Sequence, residues 1–201
     1  MLGRWLRHRR PDRSPVVEKS VPEALFSPEA MRRAWRIVRA NAGTAGVDGV
    51  TIRRFEADLE GQLEALRQEL IQGTYRPLPV KQVLVPKPKG DWRRLALWAL
   101  RDRVAQRVVY DAIAPTFEAG FLDCSYGFRP GRGVEDAVRA VLSHRDAGHR
   151  WVLDADIKEC FERIDRRRLM AVLRRRIRDR RLLRLIEQWL RARIFNALSH
   201  G

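Results

Sequence analysis

From Val80 to Trp98 the chain runs through a β-rich stretch (Val80 to Val85), a charged stretch (Pro86 to Asp91, PKPKGD) and a second β-rich stretch (Trp92 to Trp98). Two such runs separated by Pro and Gly predict an antiparallel hairpin. Around it, apolar residues recur at helical spacing. A second strand signal, Arg150 to Asp156 (RWVLDAD), ends its apolar run in acids. The chain is therefore expected to be α+β, with helices dominating.

Helix starts and stops are legible. Ser27-Pro28 places an N-cap before a proline in the first turn, and Met31, Ala34, Trp35 and Val38 follow on one face. Ala42 to Gly49 (AGTAGVDG) breaks that helix. Ile52, Phe55, Leu59, Leu63, Leu66 and Leu70 predict one amphipathic helix ended by Gly73. Val104, Val108, Ala112 and Ile113 predict a helix stopped near Pro115. Asp123 to Gly133 reads as a loop, and Val134 to Leu142 as a helix. Asp165 caps a helix through Leu169, Val172, Leu173 and Ile177, and a last helix carries Leu182, Leu185, Ile186, Trp189 and Leu190. The apolar stripes of these last two helices are expected to lie uncovered and to favour association.

Charge narrows the class of partner. Lys and Arg number 41 against 25 Asp and Glu, a formal net charge of +16, while hydrophobic residues at 45% suffice for a core. A GC-rich genome favours arginine codons, but such a bias does not by itself leave this excess over acids. A polyanion, with nucleic acid first, is the expected partner. Cys124 and Cys160 are far apart with no His at zinc spacing, so both read as reduced thiols of a cytoplasmic protein. No apolar run approaches the roughly 20 residues of a membrane span. The start, MLGRWLRHRRPDRSP, lacks an apolar h-region and reads as a mobile basic arm.

Three local features carry chemistry. In Asp154-Ala155-Asp156-Ile157-Lys158-Glu159-Cys160-Phe161, strand alternation puts Asp154 and Asp156 on one side. Two carboxylates at a strand end can hold Mg²⁺ against phosphate oxygens; the competing reading is a solvated strand end. Lys87, Lys89, Arg93 and Arg94 on the hairpin form a clamp for phosphates, or else a charged edge that prevents strand aggregation. Ser125-Tyr126-Gly127-Phe128-Arg129-Pro130-Gly131-Arg132 interleaves aromatics, glycines and arginines, as a stacking surface for nucleic acid requires; Tyr126 and Phe128 also fit as core anchors of a tight loop.

In their order and wording, four blocks resemble the reverse transcriptases of group II introns and their bacterial relatives. They are Ala45 to Thr51 (AGVDGVT), the basic hairpin running into Arg101-Asp102-Arg103-Val104-Ala105-Gln106, the Ser125 to Arg132 loop, and Asp154 to Phe161. The resemblance runs from about residue 25 to the last few residues. It implies reverse-transcriptase-like fingers with an incomplete palm: a basic arm over 1–22, a helical extension over 23–78, fingers over 79–148 and a partial palm over 149–201. It also implies that Arg93, helped by Lys87, meets the incoming triphosphate, and that Lys89, Arg94, Tyr126, Phe128, Arg129 and Arg132 lie along template or nucleic acid. Asp156 matches the first catalytic aspartate, with the Ile157 backbone carbonyl sharing its Mg²⁺ and Asp154 supporting it. Phe161 matches the bulky residue whose ring excludes a 2′-hydroxyl and so selects deoxynucleotides.

The chain departs from the family's pattern in two places. Where the family usually has Pro-Leu-Gly-Ile-Pro after the hairpin arginine, this chain has Arg94-Leu95-Ala96-Leu97-Trp98. The family's Tyr-x-Asp-Asp segment and helical thumb are not among these 201 residues. The expectation is a truncated RNA-directed DNA polymerase of maturase type, inactive as an isolated chain. Its expected partners are RNA (intron or template), DNA and deoxynucleoside triphosphates, with no membrane. The alternatives are a non-catalytic RNA-binding module, or a half enzyme whose remaining palm and thumb come from a second chain.

Overall fold

The computed structural model describes residues 15–86, 90, 92–157, 159–161 and 163–196. After a short turn of helix, α1 (Pro22–Leu25), the expected cap forms. The Ser27 hydroxyl accepts the Ala30 N–H at 3.2 Å and opens α2 (Pro28–Ala40), whose Met31, Ala34, Trp35 and Val38 are buried. The stripe from Ile52 to Leu70 makes two helices instead of one, α3 (Ile52–Glu56) and α4 (Leu59–Gln72). The cause is Asp58, whose carboxylate takes the Gly61 N–H and starts a new helix there. Gly73, at φ 73°, ends α4 as a left-handed cap. Trp35 stacks on Phe55 with ring centroids 4.5 Å apart, locking α2 to α3.

The hairpin forms as expected from β1 (Val80–Pro86) and β2 (Trp92–Leu97), with Val85 opposite Arg93 and Leu84 opposite Arg94. α5 (Leu100–Glu118) does not stop at Pro115. Proline costs that turn the hydrogen bond to the residue four back. The helix continues because Thr116 is buried and Phe117 packs on the core. α6 (Val134–Asp146), α7 (Arg166–Arg176) and α8 (Arg180–Leu190) follow, then a strand not anticipated, β3 (Ile194–Asn196). β3 pairs parallel with β1, giving the order β2-β1-β3, and the Val80 N–H donates to the Arg193 carbonyl at 2.7 Å. Three residues are too few to show a periodicity.

A continuous buried cluster joins α2, α4 and α5 to Ile177, Leu182 and Leu185. The inner stripe of α8 is therefore covered, contrary to expectation: Leu182 is 0% and Ile177 1% exposed. Ile177 ends α7 in an extended conformation and bridges Val17 in parallel, with hydrogen bonds Val17 N–H to the Arg176 carbonyl (2.8 Å) and Arg178 N–H to the Val17 carbonyl (2.9 Å). Asp179 then accepts the Ser20 N–H (3.1 Å) and hydroxyl (2.9 Å) while capping α8. Within the expected arm of 1–22, residues 1–14 lie outside the described residues, and the chain is docked from Val17 onward.

The expected strand at Arg150 to Asp156 does not form. The segment is irregular and has no ladder, and Trp151, Val152 and Leu153 are 96%, 86% and 92% exposed. Strand propensity alone does not hold a strand; cross-strand pairing does, and among the described residues this run has no such partner. Val134, Val138 and Val141 on α6 are exposed as well. The uncovered apolar surface thus lies on α6 and the 151–161 segment.

Candidate nucleic-acid interface

Arg93 and Arg94 are both exposed on β2 and, being consecutive, point to opposite faces. Gly90 turns the chain at φ 83°. Lys87 and Lys89 lie outside the described residues.

The root of the hairpin is fixed by the Arg101–Arg103 block. Arg103 donates to the Trp98 carbonyl at 2.8 Å and to the Thr44 carbonyl at 2.6 Å. It therefore joins the Ala42 to Gly49 loop to the hairpin exit. Burial pulls its guanidinium below its ordinary pKa, against the opposing charge of Asp48. In the same loop, a Cβ on Gly46 would lie 2.6 Å from the Ala99 backbone, so that close approach requires glycine.

Asp102 beside it is fully buried. Its Oδ1 accepts the Tyr75 hydroxyl at 2.6 Å and its Oδ2 the Leu78 N–H at 3.1 Å; Trp189 Nε1 donates to the Tyr75 oxygen at 3.0 Å. Burial raises the Asp102 pKa, while the Tyr75 and Leu78 bonds and the Arg101 charge pull it back. Burial, then the Asp102 charge, push the Tyr75 hydroxyl far above its ordinary pKa, so it stays a donor. Sequence reasoning missed this network. The available signal was Asp102 at helical spacing from Ala99, Ala105 and Val109, on the face of α5 that is buried.

The Ser125 to Arg132 loop is organised from inside by Arg129. That guanidinium pairs with Glu118 (Nε at 2.8 Å, Nη2 at 2.7 Å) and donates to the carbonyls of Leu122 and Ser125, both at 2.8 Å. It also sits over the Phe121 ring, 5.3 Å from the centroid. Its side chain is 7% exposed, so its donors serve the loop. Arg132 donates to the Asp123 carbonyl and lies over the Tyr126 ring at 5.7 Å. Phe128 is not a core anchor: it is fully exposed and held at φ 57°, a strained conformation for an aromatic residue. The loop thus sets Arg132 against Tyr126, leaves Phe128 in solvent and turns Arg129 inward.

Asp156 lies on the exposed 150–161 segment, and its Oδ1 accepts the N–H of Ile157 at 2.9 Å. Ile157 and Phe161 are 72% and 81% exposed. Mg²⁺ demands near-octahedral oxygen coordination. Among the described residues no group of three His, Cys, Asp or Glu is placed to hold a metal ion. Among the described residues, the carboxylate donors near Asp156 do not complete such a coordination shell. Among the described residues no helix is long and apolar enough to cross a membrane, and both cysteines are free and exposed.

Comparison with known proteins agrees with the four blocks. The family model described as reverse transcriptase (RNA-dependent DNA polymerase) matches residues 85–201. Protein YkfC of Escherichia coli (strain K12) is 40% identical over 188 residues, 88% of this chain and 49% of that protein. The group II intron-encoded protein LtrA of Lactococcus lactis subsp. cremoris is 29% identical over 169 residues, 84% of this chain and 28% of that protein. Nuclear intron maturase 1, mitochondrial, of Arabidopsis thaliana is 36% identical over 91 residues, 45% of this chain and 13% of that protein. The chain spans about half the length of YkfC and a smaller share of the others. On the ordered blocks, the hairpin that one of them forms and these matches, the chain belongs to the reverse transcriptase family, in its group II intron type.

Proposed function

We propose that this chain grips RNA as the fingers of a group II intron-type RNA-directed DNA polymerase, and that these 201 residues alone do not extend a primer. The observation that carries the first half is the hairpin: β2 holds Arg93 and Arg94 in solvent at a site whose root is locked by Arg103 and Gly46. Arg93 and Lys87 are assigned to the triphosphate of a deoxynucleotide. Lys89 and Arg94 on the hairpin and Tyr126, Phe128 and Arg132 on the 125–132 loop are assigned to template RNA, with Arg129 holding that loop. The family subdivision is carried over with its bounds: extension 23–78, fingers 79–148, partial palm 149–201.

Asp156, with the Ile157 carbonyl, is assigned as the first part of an Mg²⁺ site that needs carboxylates from outside this set, and Phe161 as the residue that selects deoxyribose. The support is the exposed, unladdered state of residues 150–157. Such a segment gains a strand and a cover for Trp151, Val152 and Leu153 only by pairing with further palm structure. That structure comes from more of the same protein or from a second chain in the cytoplasm.

The test is primer extension on an RNA template with deoxynucleotides and Mg²⁺, run beside RNA binding. Binding without extension is the expected result; robust extension by the 201-residue protein overturns the second half. RNA affinity unchanged by Arg93→Gln/Arg94→Gln overturns the first. A non-catalytic RNA-binding role is the second reading, favoured by the exposed Phe128, and it predicts RNA affinity indifferent to Asp156→Ala.

A further inference from the structure

The motif blocks leave one strongly charged surface unused. Where α8 passes the 76–79 segment there is a cleft of about 430 Å³, lined by Arg76, Arg184, Arg191 and Arg193 with Pro77 and Pro79 as a stiff wall. A second depression of about 310 Å³ lies between α7 and α8 and is lined by Arg166, Arg167 and Arg174. The two share Glu187 and Arg191, so they form one trough across α8.

We propose that this trough is a second nucleic-acid contact, holding the phosphate backbone of double-helical RNA without reading its sequence. The proposal rests on the RNA-binding reading above but uses none of the residues assigned there.

Three observations carry it. The first is charge. Among the described residues Glu187 is the sole acid lining the trough, and it is paired with Arg191 at 2.8 Å. Among the described residues the other six arginines have no acid partner. Like charges gathered around one carboxylate repel one another, and a polyanion relieves that repulsion.

The second is residue type. A guanidinium offers a planar fork that fits phosphate oxygens, and it cannot lose its proton at physiological pH. Arg76 is held in place by bonds from its Nη1 to the Tyr75 carbonyl (2.7 Å) and the Gly73 carbonyl (3.2 Å). Arg184 and Arg191 are seven residues apart, two turns and roughly 10 Å along one face of α8.

The third is what is missing from the lining. Among the described residues no aromatic side chain lines either part. Unpaired strands are held by stacking on aromatic faces, whereas helical RNA is held by shape and phosphates. The loop around Tyr126 and Phe128 offers stacking; the α8 trough offers only charge.

The test uses the purified chain with a fluorescein-labelled RNA hairpin and an unpaired oligonucleotide of equal length, titrated over a range of salt. Arg184→Gln/Arg193→Gln should weaken hairpin binding roughly tenfold and make the log affinity against log salt line shallower by about 2, with a smaller change for the unpaired strand. Glu187→Gln should tighten hairpin binding by roughly threefold. A merely destabilising substitution would not produce that gain, and circular dichroism checks that each variant is folded. Hairpin affinity and salt slope unchanged in both variants overturn the trough. If Arg93→Gln/Arg94→Gln then still weakens binding, the RNA reading stands without it. If the unmodified chain binds neither RNA, that reading itself fails.

Discussion

The Tyr75 hydroxyl donates to Asp102 Oδ1 at 2.6 Å while accepting from Trp189 Nε1 at 3.0 Å. One oxygen therefore ties the segment ahead of the hairpin to α5 and to α8. Tyr75→Phe leaves a buried carboxylate oxygen and an indole N–H without this partner. The expected loss is about 2–3 kcal/mol of stability, read as a lower urea midpoint at unchanged slope. Phe128→Ala serves as the exposed aromatic control and should move the midpoint little.

Gly46 is the tightest backbone approach between the Ala42 to Gly49 loop and the start of α5. Gly46→Ala should cost about 1–3 kcal/mol, because its Cβ meets backbone that cannot rotate away. Gly127→Ala, with nothing within 4 Å of the added carbon, should stay within about 0.5 kcal/mol. Thermal melts of the two variants check the contrast.

Phe128 trades stability for exposure. Its left-handed backbone is strained, so Phe128→Gly should raise stability by roughly 1 kcal/mol. If Phe128 stacks on a base, the same change should weaken binding of an unpaired RNA strand by about 1–3 kcal/mol. Melting and fluorescence anisotropy on one sample read both signs. Arg129→Gln should loosen the loop instead, exposing 122–132 to proteolysis before the rest.

Two buried carboxylates answer acid in opposite directions. Burial raises the Asp179 pKa, but the N–H groups of Ser20, Arg181 and Leu182 and the Ser20 hydroxyl outweigh it, leaving a net depression. A depressed carboxylate stabilises above its unfolded pKa and loses that contribution as pH falls through the lower folded value. Asp102 has a raised folded pKa. Its cost of burying charge is full above that value and is relieved as pH falls through it. On acidification the Val17 to Ser20 segment should therefore release from α8 while the Tyr75–Asp102 contact persists. Amide hydrogen exchange at Ser20 and Arg178, compared with Leu78, measures this.

The hairpin, the Ser27, Asp165 and Gly73 caps and the apolar spacing of α2 and α8 were legible in the sequence because each depends on neighbours a few residues away; that the α8 stripe is covered was not. The family was legible for a related reason: its four blocks keep their residues and order whether or not they are packed. The break between α3 and α4 was not legible because an aspartate on a helical pattern is equally a surface residue or a cap, and only the Gly61 N–H decides.

What required the tertiary structure were relations between distant segments. β3 exists because β1 offers an edge more than a hundred residues earlier, and Val17 is ordered because Ile177 does the same. Arg129 reads as a nucleic-acid ligand by composition and is turned inward by Glu118 and two carbonyls. Arg76, far from α8 in sequence, joins the α8 arginines in one trough. The 150–156 run has the composition of a strand and lacks a partner among the described residues. Sequence fixes which backbone conformations are favoured locally; hydrogen-bond ladders, buried carboxylates and clustered charge depend on which surfaces the fold brings together.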